Sequence, residues 1–156
     1  MSIGRIEAIW IAPVRRRPLV PVTTVRAVPG RGLEGDRYFL GCGSLSRWPS
    51  AARAVSFVER EALDAVLSEH GIDLRDGRSR RNVETAGVVL AELKGRRFRI
   101  GTALFHGALA CQPCTYLERL TAAGAFAALK GRGGLRAEVL EGGIITIGDA
   151  VEMVGE

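Results

Sequence analysis

Glycine closes one short apolar-alternating run after another along this chain, and that punctuation limits the fold more than any other feature. There are 20 glycines among 156 residues. A strand needs only about four to eight residues of alternating character, whereas a helix needs a longer uninterrupted run. Closely spaced glycines therefore leave room for strands and tight turns but for few helices. Residues 3–10 alternate apolar and polar side chains, a proline-bearing basic turn follows at 13–17, and residues 20–28 form a second strand-like run, which predicts a hairpin. Further strands are predicted at 54–58, 80–85 and 135–140, and over most of 96–110, where Gly101 and Gly107 are read as turn points. Helix is predicted over 59–70, where Leu63, Val66 and Leu67 fall at helical spacing before Gly71. A short helical turn at 88–94 stopped by Gly95, and a helix at 116–120, complete the pattern.

Loops fill the rest. The segment Pro29-Gly30-Arg31-Gly32-Leu33-Glu34-Gly35-Asp36-Arg37 permits positive φ at several points, and residues 40–51 carry two glycines, three serines and a proline. Arg99-Ile100-Gly101-Thr102-Ala103-Leu104 echoes Thr146-Ile147-Gly148-Asp149-Ala150-Val151, so two related hairpins are expected. Many short strands with glycine turns point to a mainly β, α+β chain built on a closed or nearly closed β-barrel. A doubly wound parallel sheet is disfavoured, because the βα alternation is irregular and neither GxGxxG nor a Walker A pattern is present. The length suits one domain over 1–156, since domains commonly run about 100 to 200 residues.

The net charge of +5 comes mainly from arginine, whose planar guanidinium suits phosphate or carboxylate; a solvated basic surface is the alternative reading. No run reaches the roughly 18 apolar residues of a membrane span. The first residues enter an alternating strand pattern without a signal-like apolar core, so a cytoplasmic location is expected. Three cysteines argue against a disulfide framework and leave thiols for metal or redox chemistry.

Two of them form Cys111-Gln112-Pro113-Cys114. A zinc site would need two more ligands, and Cys42, His70 and His106 show no ligand spacing. A dithiol redox pair is favoured by a position opening a helix, whose positive end lowers a thiol pKa, but lacks a surrounding βαβ unit. Two small buried residues at a strand end are the third reading. His106 is either a proton donor or a satisfied structural residue.

The runs Arg80-Arg81-Asn82-Val83-Glu84-Thr85-Ala86-Gly87, Leu93-Lys94-Gly95-Arg96-Arg97-Phe98-Arg99-Ile100-Gly101, the cysteine pair, Gly131-Arg132-Gly133-Gly134-Leu135-Arg136-Ala137-Glu138-Val139 and Gly148-Asp149-Ala150-Val151 resemble, in this order, the MOSC family. These are domains related to the C-terminal part of molybdenum cofactor sulfurase. Gly32-Leu33-Glu34-Gly35-Asp36-Arg37 is similar to the family's early loop, so the likeness spans nearly the whole chain, and it is closest to the small stand-alone bacterial type. The resemblance implies a MOSC-type β-barrel that binds molybdenum cofactor in a molybdopterin form, with a chemistry independent of pyridoxal phosphate. Cys114 matches the single cysteine that ligates molybdenum in the amidoxime-reducing branch, and soft thiolate suits that metal. Cys111 would then stand beside the ligand.

Arg81 and Asn82 match a segment that approaches the pterin and its phosphate. Asp36 and Arg37 match the early loop, as direct cofactor contacts or as an internal ion pair fixing that loop. Gly131-Arg132-Gly133-Gly134 is either an anion cradle or a turn into the next strand. Two departures weaken the carry-over: Arg15, Arg16 and Arg17 stand where relatives often show a lysine before a small residue, and Tyr38 where histidine is common.

The implied activity is reduction of N-hydroxylated compounds, such as hydroxylaminopurines or amidoximes, releasing water. Electrons would come from a separate flavin or iron–sulfur protein, since the chain has too few cysteines for a four-cysteine cluster and no nucleotide fingerprint. The rival from another class is a carrier that holds a persulfide or hands molybdenum cofactor on without turnover. A nucleic-acid-binding module is disfavoured, because aromatic residues are scarce among the arginines.

Overall fold

The computed structural model describes residues 2–14, 17–36, 54–111, 124, 128 and 132–155. Seven strands close a barrel: β1 (Ser2–Ile11) pairs with β11 (Ala150–Met153), and the circuit continues through β7 (Arg97–Ile100), β8 (Ala103–Ala110), β9 (Leu135–Glu141), β5 (Val55–Glu59) and β6 (Val83–Ala86) back to β1. Every pairing around the ring is antiparallel except β5 with β6. A parallel pair cannot be joined by a tight turn. Here the crossover is the helix α1 (Arg60–His70) and the turn-rich segment after it.

Inside the barrel Phe57, Phe98 and Phe105 are fully buried, with ring centroids 5.6 Å apart in each pair. Phe57 meets the other two edge-on, and those two stack on each other. Small and aliphatic residues, among them Ile6, Val83, Ala137 and Val151, fill the space around them. β5 is buried on both faces because α1 covers its outer one, where Val58 packs with Leu63, Val66, Leu74 and Ala128. Helix α1 stops at Gly71, which adopts left-handed φ of 69° and donates its N–H to the Leu67 carbonyl at 2.9 Å. At the other end, Glu59 accepts the Leu90 N–H at 3.0 Å and Glu61 the Gly87 N–H at 2.7 Å, so the helix start is tied to the chain leaving β6.

Several sequence expectations need correcting. The run at 20–28 is two strands. β2 (Val20–Val22) completes the hairpin with β1, but the pairing breaks at Thr23, and β3 (Thr24–Val28) joins a second sheet between β10 (Gly143–Thr146) and the two-residue β4 (Gly32–Leu33). Val25, Ala27, Leu33 and Ile145 of that sheet enter the same core as the barrel. Of the two echoing segments only the first is a hairpin, with Gly101 and Thr102 turning between β7 and β8. In the second, the turn carries the chain from β10 in one sheet to β11 in the other. Asp149 stabilises it by accepting the Thr146 N–H at 2.8 Å, while Gly148 donates to the Ile6 carbonyl at 2.9 Å.

Gly107 is no turn but a close approach within β8, where an added Cβ would lie 2.1 Å from the Leu93 carbonyl oxygen. The strand expected at 80–85 begins only at Val83. The short helical turn is the 3-10 turn Leu90–Leu93. Residues 40–51 and the helix expected at 116–120 lie outside the described residues.

Removing the ring that meets both of the others edge-on should be costly. Phe57→Ala is expected to lower stability by about 3–5 kcal/mol in equilibrium urea unfolding, the usual range for emptying a buried aromatic site.

Candidate functional site

Asn82 stands immediately before β6, and its side chain uses all of its hydrogen-bonding capacity inside the protein. The amide oxygen accepts from the Ser56 backbone N–H at 3.0 Å and the Ser56 hydroxyl at 3.1 Å. The amide nitrogen donates to the Trp10 carbonyl at 3.1 Å and to Asp36 Oδ1 at 3.3 Å. An asparagine side chain offers two donors and two acceptor lone pairs, so this set saturates it. Its backbone is fixed as well: Asn82 N–H donates to Ser56 Oγ at 3.0 Å, and its carbonyl accepts the Trp10 N–H at 2.6 Å. Asp36 Oδ1 also accepts the Ala12 N–H at 2.7 Å. Asp36 thus fastens the early glycine-rich loop to the end of β1.

Arg81, next in line, is only 6% exposed, and its Nε donates to the Gly133 carbonyl at 2.9 Å. The following residue, Gly134, accepts the Cys111 N–H at 2.8 Å. One dipeptide therefore joins the buried guanidinium to the first cysteine of the pair, which is itself 1% exposed. Gly134 has φ of 109°, and an added Cβ would lie 1.8 Å from the Phe57 carbonyl oxygen, so a side chain there has no room. Before it, Arg132 donates through Nε to the Ala128 carbonyl at 3.0 Å and through Nη2 to Glu69 at 3.2 Å, bracing the segment against α1. That contact holds the Glu69 carboxyl below its ordinary value, first through the hydrogen bond and then through charge attraction.

The chain reaches Arg81 through a turn built on Asp73. Its carboxylate receives Arg75 Nε at 2.9 Å and Nη2 at 3.0 Å, the Arg75 backbone N–H at 3.0 Å, and Arg78 Nη1 at 3.2 Å. Arg80 then takes a left-handed φ of 61°, which costs an L-residue about 1–2 kcal/mol, and its Nη1 donates to the Arg17 carbonyl at 2.9 Å. Arg17, which follows β1, is in this way tied to Arg80 beside the site.

Of the residues singled out in the sequence, the structure brings Asp36, Arg81, Asn82 and Cys111 into one connected set of hydrogen bonds and short loops. Cys114 and Arg37 lie outside the described residues, as do Arg15, Arg16, Tyr38 and Cys42. His106 sits on β8 with Nδ1 3.4 Å from Glu138 Oε1 on the paired strand. Among the described residues, no group of three or more His, Cys, Asp or Glu side chains gathers as a metal cage. Ser56 and Trp10 were missed by the sequence reading. The signal for Ser56 is a lone polar residue inside Ala54-Val55-Ser56-Phe57-Val58, an otherwise apolar strand.

A buried glutamate flanks the site. Glu84 is fully buried on β6, where Oε2 accepts the Trp10 indole N–H at 3.0 Å and Oε1 accepts Arg60 Nε at 2.8 Å. The pair gives the carboxylate both charge and hydrogen-bond compensation, which a buried ion requires.

Two outcomes follow from this geometry. Gly134→Ala is expected to lose more than about 1 kcal/mol in thermal or urea denaturation, since both its φ and its space are incompatible with a Cβ. The Asp73 carboxyl is held well below its ordinary value of 3.8, chiefly by the Arg75 side chain and then by the Arg75 backbone N–H. A lowered folded value means the stabilisation is complete above 3.8 and is lost only as pH falls through the lower folded value. Carboxyl NMR titration is expected to give Asp73 a midpoint below 3.8, and a midpoint at or above it would contradict the turn's geometry.

Comparison with known proteins agrees with this architecture. Residues 36–152 match the family model of the MOSC domain. The fold is similar to that of the YuaD protein from Bacillus subtilis, with a TM-score of 0.82 at 20% identity, covering 98% of this chain and 96% of that one. It is also similar to YiiM from Geobacillus stearothermophilus, with a TM-score of 0.74 at 18% identity over 97% of this chain and 75% of that one. YiiM from Escherichia coli gives 0.69 at 18% identity over 97% and 70%. Among curated proteins no sequence match is found. The family match covers well over half of the sequence, and the chain belongs to the MOSC domain family.

Proposed function

We propose that the chain, as one domain over 1–156, is a molybdenum cofactor-binding oxidoreductase that reduces N-hydroxylated compounds of the hydroxylaminopurine or amidoxime type. The observation that carries this reading is the buried Arg81 guanidinium, joined through Gly133 and Gly134 to Cys111, in a chain of the MOSC family. A molybdopterin is an anion with a phosphate at one end and sulfur at the other. The donor set fits such a group: a nearly buried arginine supplies charge and a fork of donors, and a cysteine segment lies one dipeptide away.

When bound, the cofactor would supply two-electron chemistry, so that an N–OH compound, two electrons and two protons yield the N–H product and water. The protein's part is to hold and exclude. Cys114 is the proposed thiolate ligand of molybdenum. Arg81 and Arg37 would face the phosphate, Cys111 would pack behind the ligand, and Asn82 and Asp36 would keep the arginine-bearing segments in place. Ligation by one soft protein thiolate alongside the pterin's own sulfurs suits such a metal.

Electrons would arrive from a separate flavin or iron–sulfur protein, and the site of action would be the cytoplasm, where thiols stay reduced. No helix among the described residues is long and apolar enough to cross a membrane. Neither a membrane nor a nucleic acid enters the proposed reaction.

Molybdenum analysis and pterin fluorescence on protein from a molybdenum-replete host test the reading. Wild type and Cys111→Ser are expected to carry metal, and Cys114→Ser to lose most of it. Equal molybdenum in all three would remove Cys114 as ligand, and loss in Cys111→Ser alone would exchange the two roles. Bound pterin without turnover of any hydroxylamine or amidoxime would point to the carrier function.

A further inference from the structure

We infer that Ser56 is a positioning residue of the cofactor site, acting through Asn82 on Arg81; the inference rests on the functional reading above. The parallel ladder between β5 and β6 has Phe57 opposite Val83 as the register pair nearest the site. Just beyond it a further backbone pairing would be expected. Instead the Asn82 side chain takes the place of main chain: its amide oxygen receives the Ser56 backbone N–H at 3.0 Å, while Ser56 Oγ receives the Asn82 backbone N–H at 3.0 Å. Each residue thus satisfies the other's backbone with its own side chain, and the hydroxyl closes the ring by donating to the same amide oxygen at 3.1 Å.

The exchange has a geometric result. Asn82 is held to β5 by side chains in place of a main-chain pair and to β1 by the Trp10 N–H, so the β5–β6 ladder ends at Val83 and Arg81 lies beyond it. Arg81 can therefore leave the sheet and reach the Gly133 carbonyl at 2.9 Å, rather than take its place in the alternation of β6. Alanine at position 56 would strand the Asn82 N–H and halve the partners of its amide oxygen, letting residue 82 rotate and Arg81 with it. Threonine keeps the hydroxyl and suits a strand.

The test compares Ser56→Ala, Ser56→Thr and a control, Val151→Ala, which empties core volume at the β1–β11 seam. Protein is produced in a molybdenum-replete host, passed through gel filtration well below its melting temperature, and assayed for oxidised-pterin fluorescence and molybdenum per chain. Circular dichroism checks that each variant is folded. Ser56→Ala is expected to retain about tenfold less cofactor or lower still, the effect usual for residues that orient a ligand-bearing group. Ser56→Thr should restore loading, and Val151→Ala should lower the melting temperature while keeping wild-type loading.

Loading of Ser56→Ala equal to wild type would overturn the inference, as would equal cofactor loss in Val151→Ala. Should Ser56→Ala fail to fold, Ser56→Cys replaces it: the thiol keeps the side chain's shape but is a weak donor and a weak acceptor toward Asn82. Its loading is expected to fall in the same way, and unchanged loading would be equally fatal. Wild type without pterin would overturn the functional reading and this inference together, whereas a loaded wild type with a loaded Ser56→Ala removes only the latter.

Discussion

A buried amide must have every donor and acceptor matched, and the one at Asn82 meets that demand by binding three other parts of the chain at once. Its partners lie on β1, on β5 and in the loop that follows β4, and it is itself the lead-in to β6. Leaving any of these groups unmatched in the interior costs about 1–3 kcal/mol. The demand therefore fixes register where the parallel and antiparallel parts of the barrel meet. Arg81, Gly133 and Cys111 hang from that fixed point, so the site inherits its geometry from a structural hydrogen-bond set rather than from the loops themselves.

The arginines show the same economy. A net charge of +5 suggested either a ligand-seeking or a solvated basic surface. Many of the described arginines are braces instead: Arg60 on Glu84, Arg75 and Arg78 on Asp73, Arg99 on Glu141, Arg132 on Glu69. The exposed pairs among these contribute little individually. Their value lies in holding turns, and the two around Asp73 shape the approach to Arg80 and Arg81. Arg60 differs, because its partner carboxylate is fully buried and would be a heavy penalty without it.

Much of the barrel could be read from local pattern. Alternation marked β1 and β9, helical spacing marked α1 to its final residue, and Gly71 and Gly101 stood where a left-handed residue or a turn was needed. What escaped was non-local. Nothing near Thr23 says that the chain changes sheets there, since β2 and β3 have the same strand-like composition and differ only in their distant partners, β1 and β10. Gly107 looks like a turn in sequence because its reason for being glycine, the Leu93 carbonyl, comes from outside its own hairpin. Family likeness singled out Asp36, Arg81 and Asn82 one by one, but not the hydrogen bonds that join Asp36 to Asn82 and Arg81 to Gly133. Ser56 was not singled out, because its role exists only once β5 lies beside β6.

The barrel is sealed by strands drawn from opposite ends of the sequence, with residues 2–5 against 150–152. A chain emerging from the ribosome cannot make that seam until its last strand is out, and until then β1 and β7 each present a bare hydrogen-bonding edge. Such late, distant closure raises the entropic hurdle to folding and slows it. The interval before closure leaves both edges open to pairing with another nascent chain, so the seam bears on folding yield as well as on final stability.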